Sequence, residues 1–89
     1  MLKQEVTICN KLGLHARAAM KLVNLAGRYQ SDVLLIHNNR EVNAKSIMNL
    51  MVIGAPYGTK ITLTSEGPDE EQALAAVIEL IKNKFDEHE

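Results

Sequence analysis

Hydrophobic and polar positions alternate along two short stretches of the chain. In residues 2 to 9, Leu2, Val6 and Ile8 fall on one side, while charged and polar residues fall on the other. Residues 60 to 65 alternate in the same way. A period of two residues is typical of a strand with one face on the core. Both stretches therefore predict half-buried β-strands.

Residues 32 to 44 predict a β-hairpin. Val33 to Ile36 are residues that favour strands, and Glu41 to Asn43 form the returning strand. Between them, Asn38 and Asn39 tolerate the positive φ angles of a tight two-residue turn. This segment adds two antiparallel strands to the prediction.

Apolar positions at helical spacing predict three helices. The first follows Gly13 and covers residues 15 to 29, with an inner face formed by Ala19, Leu22, Val23 and Ala26. The second is short and begins after Ser46, a good N-cap residue. The third has Asp69, Glu70 and Glu71 at its start, as the helix dipole favours. Its apolar stripe consists of Leu74, Val77, Ile78, Ile81 and Phe85.

The element order is therefore βαββαβα, in one domain covering residues 1 to 89. Residues 54 to 59 form the loop before the last strand, and they predict a type I turn with Pro56 at position i+1 and Gly58 at i+3. No linker, repeat or low-complexity stretch divides the chain. The pattern predicts the α+β class, with an antiparallel sheet and its helices packed on one face.

The charged residues are distributed unevenly. The net charge of −1 combines +5 in residues 1 to 60 with −6 in residues 61 to 89. A basic first part can attract an anion or an acidic protein surface. Nucleic acid is a weaker candidate and is not expected as a partner, because the chain has only three aromatic residues and no clustered basic run.

Composition also limits the cellular setting. Cys9 is the only cysteine, so no internal disulfide forms, which fits a reducing compartment. The N-terminal residues lack the pattern of a secretory signal, and no apolar run approaches the ~20 residues of a membrane span. We therefore expect a cytoplasmic protein that does not insert into membranes. No group of side chains has metal-ligand spacing, so no metal or cofactor is expected.

His15 is the first candidate for chemistry. It stands at the start of the first helix, where unpaired amides and the helix dipole favour an anion. Arg17 adds a permanent charge that suits phosphate oxygens. These features suit a phosphoryl group carried on imidazole nitrogen. Spacing alone favours a simpler interpretation, in which His15 caps the helix and Arg17 is a surface cation.

The second helix is the next candidate. Its sequence, residues 47 to 53, has six apolar residues among seven. A short helix buries one side only, so exposed methionines there would form a docking patch. A small helix fully sunk into the sheet explains the pattern equally well.

Three segments together resemble the HPr family of phosphocarriers of the phosphoenolpyruvate-dependent phosphotransferase system: "GLHARAAM", "VNAKSIMNLM" and "GTKITLTSEGPDEEQALAAVIELI". The resemblance covers essentially the whole chain in the same element order. It implies an open-faced β-sandwich, with a four-stranded antiparallel sheet in the order 1-4-2-3 under three helices.

The resemblance also implies a function and its residues. In that family a histidine, matched by His15, accepts a phosphoryl group on Nδ1 from enzyme I and passes it to an EIIA domain. Arg17 matches its phosphate partner. A carrier of this kind is a co-substrate more than a free-standing enzyme, and it needs no cofactor. Family docking surfaces match Arg17, Met20, Lys21, Ile47, Met48 and Met51.

Two positions affect what the resemblance implies. The family usually has proline where this chain has Ala18, which also fits a first helical turn. Ser46 matches the serine that an HPr kinase/phosphorylase modifies in some members, while other members carry it without that regulation. Sugar uptake and a nitrogen-branch, NPr-like regulatory role both remain open, and we expect a monomer.

Overall fold

The computed structural model describes residues 1–89 as four strands and three helices in the predicted order. The strands are β1 Leu2–Thr7, β2 Asp32–His37, β3 Arg40–Asn43 and β4 Lys60–Glu66, and the helices are α1 Ala16–Ala26, α2 Ile47–Ile53 and α3 Glu70–Lys82. The strands form one antiparallel sheet in the order β1-β4-β2-β3. The expected α+β fold and its 1-4-2-3 sheet order are confirmed.

The core lies between the sheet and the helices. Leu35 and Leu63 form a cross-strand pair on the inner face of the sheet, and neither is exposed to solvent. Leu22 of α1 and Val77 of α3 are likewise fully buried. Burial of each such side chain contributes about 1.5–3 kcal/mol to folding. The alternating apolar positions of the sequence therefore mark the side of the sheet that the helices cover.

The first strand is shorter than the sequence predicts, because β1 ends at Thr7 and not at residue 9. Its partner β4 begins only at Lys60. Ile8 exchanges backbone hydrogen bonds with the loop that precedes β4, through Gly58 and Thr59, both at 2.8 Å. Ile8 is nevertheless fully buried, so its inward position is confirmed.

The turn before β4 differs from the predicted type I arrangement. The Thr59 amide donates to the Pro56 carbonyl at 3.1 Å, which places Pro56 at position i and Gly58 at i+2. Gly58 has φ +86°. A positive φ at i+2 is the mark of a type II turn, where glycine is preferred. The loop was predicted correctly, but its turn was shifted by one residue.

The hairpin turn between β2 and β3 is confirmed. Asn38 and Asn39 have φ angles of 51° and 64°, and His37 pairs with Arg40 on either side of them. Two successive positive φ angles define the type I′ turn that matches the twist of a hairpin.

The first helix is shorter than predicted, since α1 ends at Ala26 and not at residue 29. Gly27 closes it by donating to the Val23 carbonyl at 2.9 Å. Val23 is only partly buried, and Ala18 takes a fully buried place on the inner face. The helix therefore faces the core at a slightly different angle from the one that the pattern indicated.

The third helix ends at Lys82 and does not extend to Phe85. Lys84, Phe85 and Asp86 form a single tight turn with φ angles of 60°, 54° and 62°. Each residue in this left-handed region costs roughly 1–2 kcal/mol. Phe85 is fully buried in return, so the apolar stripe was identified correctly although the helix stops before it. The turn brings the following residues back towards the start of α1.

Candidate functional site

The loop before α1 is fixed by Gly13. Its φ is +69°, and a Cβ atom there would lie 2.5 Å from the Ala55 carbonyl oxygen and 2.7 Å from the Pro56 Cα. The next residue, Leu14, donates its amide to the same Ala55 oxygen at 2.7 Å and is buried. Only glycine fits this close approach. These contacts fix the backbone of Gly13 and Leu14, and so the position at which His15 follows.

His15 is the N-cap of α1. Its backbone is extended, its carbonyl accepts from the Ala19 amide at 2.8 Å, and its Nδ1 accepts from the Arg17 amide at 3.3 Å. The capping interpretation of the sequence is therefore correct as far as it goes. The amides of Ala16 and Ala18 have no protein acceptor. The helix start thus leaves two N–H donors beside the imidazole.

The other ring nitrogen of His15 contacts a carboxylate. Its Nε2 forms a close hydrogen bond with the Glu87 side chain. Because Nδ1 accepts from an amide, the proton of the neutral ring belongs on Nε2, where it is donated to Glu87. The two contacts select the same tautomer from opposite sides of the ring.

Glu87 is itself held in place by Asn10. The Asn10 Nδ2 donates to the Glu87 carboxylate at 2.9 Å and to the Gly13 carbonyl at 2.7 Å. Both neighbours are acceptors, so the amide orientation is fixed by chemistry. The Asn10 Oδ1 is buried without a partner, which is the energetic cost of this arrangement.

The surroundings of Glu87 favour its charged form. Burial alone would raise its pKa, but hydrogen bonds from Asn10 and His15 and the charges of His15 and Lys21 together lower the pKa below its ordinary value. The carboxylate is 16% exposed and the imidazole 27% exposed. Glu87 is therefore an anion at neutral pH, and its carboxylate contacts the ring directly.

The segment that carries Glu87, residues 83–89, is anchored at both ends. The Lys21 ammonium on α1 donates to the Phe85 carbonyl at 2.7 Å. The Lys11 amide donates to the Glu89 carbonyl at 2.5 Å. Together with the buried ring of Phe85, these contacts attach the segment to α1 and to the loop before it.

An open cleft of about 690 Å³ lies beside His15. Its lining residues are Lys11, Leu12, His15, Ala16, Arg17, Glu87, His88 and Glu89. Arg17 is exposed, and its guanidinium makes no hydrogen bond or ion pair within the protein. The structure therefore brings Arg17 to the site through its backbone amide, with its charged group free to meet a ligand.

Three predicted docking residues form an exposed apolar surface, which we call the methionine patch: Met20 on α1 with Met48 and Met51 on α2. They are 52%, 74% and 45% exposed, and the two helices pack against each other. Val52 extends the same surface and was missed by the sequence reasoning. The alternative prediction, in which the short helix α2 is fully buried against the sheet, is therefore wrong.

Two other predicted docking residues are partly engaged by the protein itself. Ile47 packs against the core, and the Lys21 ammonium is bound to Phe85. Leu50 is the fully buried side chain of α2, which fixes how the helix presents its methionines. Lys21 thus takes part in holding the 83–89 segment, a role that the sequence did not indicate.

Ser46 caps α2 as predicted, because its Oγ accepts from the Asn49 amide at 3.3 Å. The helix has seven residues and ends at Gly54 in the left-handed conformation. Next to it, the Lys45 ammonium donates to the Tyr29 carbonyl at 2.8 Å. The Ser46 hydroxyl is partly exposed, so its capping bond and its accessibility coexist.

The remaining candidates stand apart from this chemistry. His37 lies at the hairpin end, and His88 lines the cleft rim without a hydrogen bond. Cys9 lies just after β1, and its thiol approaches the Ile81 carbonyl at 3.2 Å. No cluster of three or more potential ligand side chains could hold a metal ion.

None of the helices combines the length and the apolar character that crossing a membrane requires.

The sequence reasoning missed Glu87 and Asn10. His15 and Glu87 are 72 positions apart, and no local spacing connects them. The one available signal was Phe85, whose apolar side chain continues the α3 stripe and indicates that the chain after α3 returns to the core. The direction of that return depends on the left-handed turn, which nothing in the residue types there predicts.

Comparison with known proteins gives a consistent result. The family model described as "PTS HPr component phosphorylation site" matches residues 2–83. A protein of Cupriavidus necator named phosphocarrier protein HPr is 51% identical over 89 residues and covers 100% of both chains. The phosphocarrier protein NPr of Shewanella violacea is 42% identical over 86 residues, covering 97% of this chain and 94% of that protein.

Solved structures agree with these relatives. The crystal structure titled HPr-C-His from Thermoanaerobacter tengcongensis has a TM-score of 0.96 and 42% sequence identity, with 100% of each chain covered. An HPr dimer from the same organism has a TM-score of 0.79 at 42% identity, covering 98% of this chain and 100% of that one. The fold and the sequence thus point in the same direction.

Proposed function

The chain belongs to the HPr family of phosphotransferase-system phosphocarriers, and from that premise we propose that His15 carries the phosphoryl group. The observation that supports this most is the position of His15 at the start of α1, with the free amides of Ala16 and Ala18 and the unpaired guanidinium of Arg17 around it. Amides at a helix start and a guanidinium are the donors that phosphoryl oxygens accept from.

The proposed step is an in-line transfer between two imidazoles. The Nδ1 lone pair of His15 attacks phosphorus, while the P–N bond of the donor phosphohistidine breaks and returns its electron pair to the donor ring. The Arg17 amide, which His15 now occupies at 3.3 Å, is released to bind a phosphoryl oxygen. The protein contributes positioning and charge stabilisation, which supply most of the catalysis of such transfers.

The partners proposed are enzyme I as donor, itself charged by phosphoenolpyruvate, and an EIIA domain as acceptor. The methionine patch, beside the basic residue Arg17, offers an apolar surface to both. Adaptable methionines suit a protein that meets several partners with the same surface. We propose that the chain acts in the cytoplasm as a monomer, and sedimentation at micromolar concentration tests the monomer.

The phosphorylation experiment uses phosphoenolpyruvate, enzyme I and the full chain. We expect a mass gain of about 80 Da that is lost in acid and is absent in His15→Ala. His37→Ala serves as the matched control and should be labelled like the wild type. The proposal fails if no adduct forms under conditions that label a known HPr.

The branch of the phosphotransferase system is decided by the acceptor. Sugar uptake is proposed first, and the similarity to an NPr supports the nitrogen-branch alternative. Phosphorylated protein should be mixed with EIIA domains of the sugar type and of the nitrogen type in parallel. Faster dephosphorylation by the nitrogen-type domain would reverse the order of the two candidates.

Ser46 is proposed as a second, regulatory phosphorylation site for an HPr kinase/phosphorylase. A phosphate there would add about two negative charges next to the methionine patch. Ser46→Asp should therefore weaken enzyme I binding, while Ser46→Ala should lose only the cap. Equal binding of the aspartate and alanine variants at low salt would remove the regulatory role.

A further inference from the structure

The contact between Glu87 and His15 has no place in the proposed transfer itself. The carboxylate touches Nε2, while the phosphoryl group is proposed to join Nδ1 on the other side of the ring. A surface carboxylate that met the ring by chance would be exposed and loosely held. Glu87 is instead mostly buried and hydrogen-bonded to Asn10 on its second oxygen.

We propose that Glu87 is a positioning residue that keeps the ring proton on Nε2 and so directs the phosphoryl group to Nδ1. This inference rests on the proposed role of His15. A free imidazole offers either nitrogen as nucleophile, because each tautomer has one bare nitrogen. The carboxylate removes that choice, since a protonated, hydrogen-bonded Nε2 has no lone pair to offer.

The carboxylate also matches the charge that the reaction creates. When Nδ1 forms its bond to phosphorus, the ring becomes cationic while the proton remains on Nε2. A neighbouring carboxylate stabilises such an imidazolium, as the aspartate does in serine protease triads. The charged form of Glu87 is favoured by its hydrogen bonds, as described above. The carboxylate therefore supports the phosphorylated state as well as the attacking one.

The backbone of the 83–89 segment places the Glu87 carboxylate against His15. Three consecutive left-handed residues are costly. Offsetting contacts come from the buried Phe85 ring and from the Lys21 ammonium on the Phe85 carbonyl. Because of this turn, Glu87 contacts both Asn10 and His15. Unfavourable backbone geometry held in place by its surroundings often accompanies a functional position.

The test needs no protein partner. Phosphoramidate transfers a phosphoryl group directly to imidazole: its P–N bond breaks, ammonia leaves with the electron pair, and a ring nitrogen bonds to phosphorus. ³¹P NMR of the denatured product distinguishes the Nδ1 adduct from the Nε2 adduct. ¹⁵N NMR of the unmodified protein reports which ring nitrogen carries the proton.

We expect the wild type to hold its proton on Nε2 and to react at Nδ1. In Glu87→Ala the Nδ1–H tautomer and the Nε2 adduct should appear, and the Nδ1 rate should fall on the order of 10-fold, as on removal of a partner that orients a histidine. Glu87→Gln retains a hydrogen-bond acceptor without charge. It should keep the Nδ1 preference but react more slowly.

Asp86→Asn is the matched control, because it removes one negative charge from the same segment at an exposed position outside the cleft. Asparagine also tolerates the left-handed backbone at this position. This variant should behave as the wild type does. The inference is overturned if Glu87→Ala keeps the wild-type tautomer and adduct, or if Asp86→Asn changes them equally. Failure of the phosphoenolpyruvate experiment, with these results intact, would instead overturn the proposed function and leave the positioning role standing.

Discussion

At the scale of single residues, His15 has one role in the structure and is proposed for a second, and the sequence presented the two as alternatives. Its Nδ1 caps α1 in the unmodified protein, and the same atom is the proposed phosphoryl acceptor. The two uses are compatible because the capping bond is long at 3.3 Å and the Arg17 amide can pass to a phosphoryl oxygen. In the proposed transfer, the cap holds the ring until the phosphoryl group takes the Arg17 amide.

Arg17→Ala should slow phosphoryl transfer from enzyme I by roughly 10- to 100-fold, since a hydrogen bond to a charged group contributes about 1.5–3 kcal/mol. Its guanidinium makes no contact within the protein, so the melting temperature should stay nearly unchanged. Stopped-flow labelling and thermal unfolding measure the two effects. Arg28→Ala is the control, because Arg28 is an exposed arginine after α1. Equal transfer rates for the two variants would mean that Arg17 is only a surface cation.

Gly13→Ala should destabilise the protein by roughly 2–4 kcal/mol, from a left-handed backbone and a forced overlap with other backbone atoms. Urea unfolding measures the loss. Gly58→Ala is the comparison, because Gly58 has φ +86° but nothing within 4 Å of an added Cβ. It should lose only the conformational part, about 1–2 kcal/mol. Equal losses at both positions would show that the close approach to Ala55 is unimportant.

Ala18→Pro tests the residue at which the chain departs from the family pattern. The Ala18 amide donates to no acceptor, so proline removes no hydrogen bond. A rigid residue in a compatible conformation raises the free energy of unfolding by about 0.4–1 kcal/mol. Chemical denaturation checks this increase. A marked loss of stability would mean that the buried side-chain site has no room for the ring.

At the scale of elements, the start of α3 is joined to the residues just before β2. The Asp69 carboxylate accepts from the Ser31 hydroxyl at 2.5 Å and from the Ser31 and Gln30 amides at 2.9 and 3.0 Å. In return, the Asp69 amide donates to the Ser31 hydroxyl at 3.1 Å. Asp69 therefore ties α3 to the loop before β2 and does not cap its own helix with its side chain.

This link predicts a dependence on pH. The Ser31 hydroxyl and then the Gln30 amide lower the pKa of Asp69 below its ordinary value of 3.8. A lowered pKa stabilises the fold above the unfolded pKa, and that contribution is lost as pH falls through the folded pKa. Asp69→Asn should thus be less stable than the wild type at pH 7, with the difference shrinking below about pH 3.8. A difference that stays constant in urea unfolding from pH 7 to pH 2 would contradict this origin.

The predictions from sequence succeeded where the signal was local and periodic. The strands, the hairpin turn at Asn38 and Asn39 and the cap at Ser46 follow from residue type and spacing over a few positions. Element ends were less accurate, because they depend on partners: β1 stops at Thr7 because β4 starts at Lys60. Helix-end chemistry made His15 and Arg17 candidates, and the resemblance to the HPr family made them the proposed site. Glu87 was missed, because only tertiary packing brings it to His15.

At the scale of the whole molecule, the 83–89 segment and the core stabilise each other. Phe85 is the largest of the fully buried side chains, and it lies just beyond the last helix. Phe85→Ala should cost about 3–5 kcal/mol, a large part of the 5–15 kcal/mol typical of a domain. Calorimetry measures this loss. It should also release Glu87, so the tautomer of His15 should change together with stability.

Phe85→Leu separates these two effects. It keeps most of the apolar volume and should cost less than the alanine change, while the segment stays anchored through Lys21. A variant that loses stability without any change in the His15 tautomer would show that Glu87 is held by Asn10 alone.

The two residues of the His15–Glu87 contact are synthesised at different times. Synthesis proceeds from the N-terminus, and His15 is made 72 residues before the carboxylate that meets its ring. A newly made chain therefore has an imidazole whose two nitrogens are still equivalent choices. The histidine acquires its fixed orientation last, when residues 83–89 have been added and packed. Cutting the chain after α3 would remove the carboxylate and leave the Arg17 amide as the one contact that favours the Nε2–H tautomer of His15.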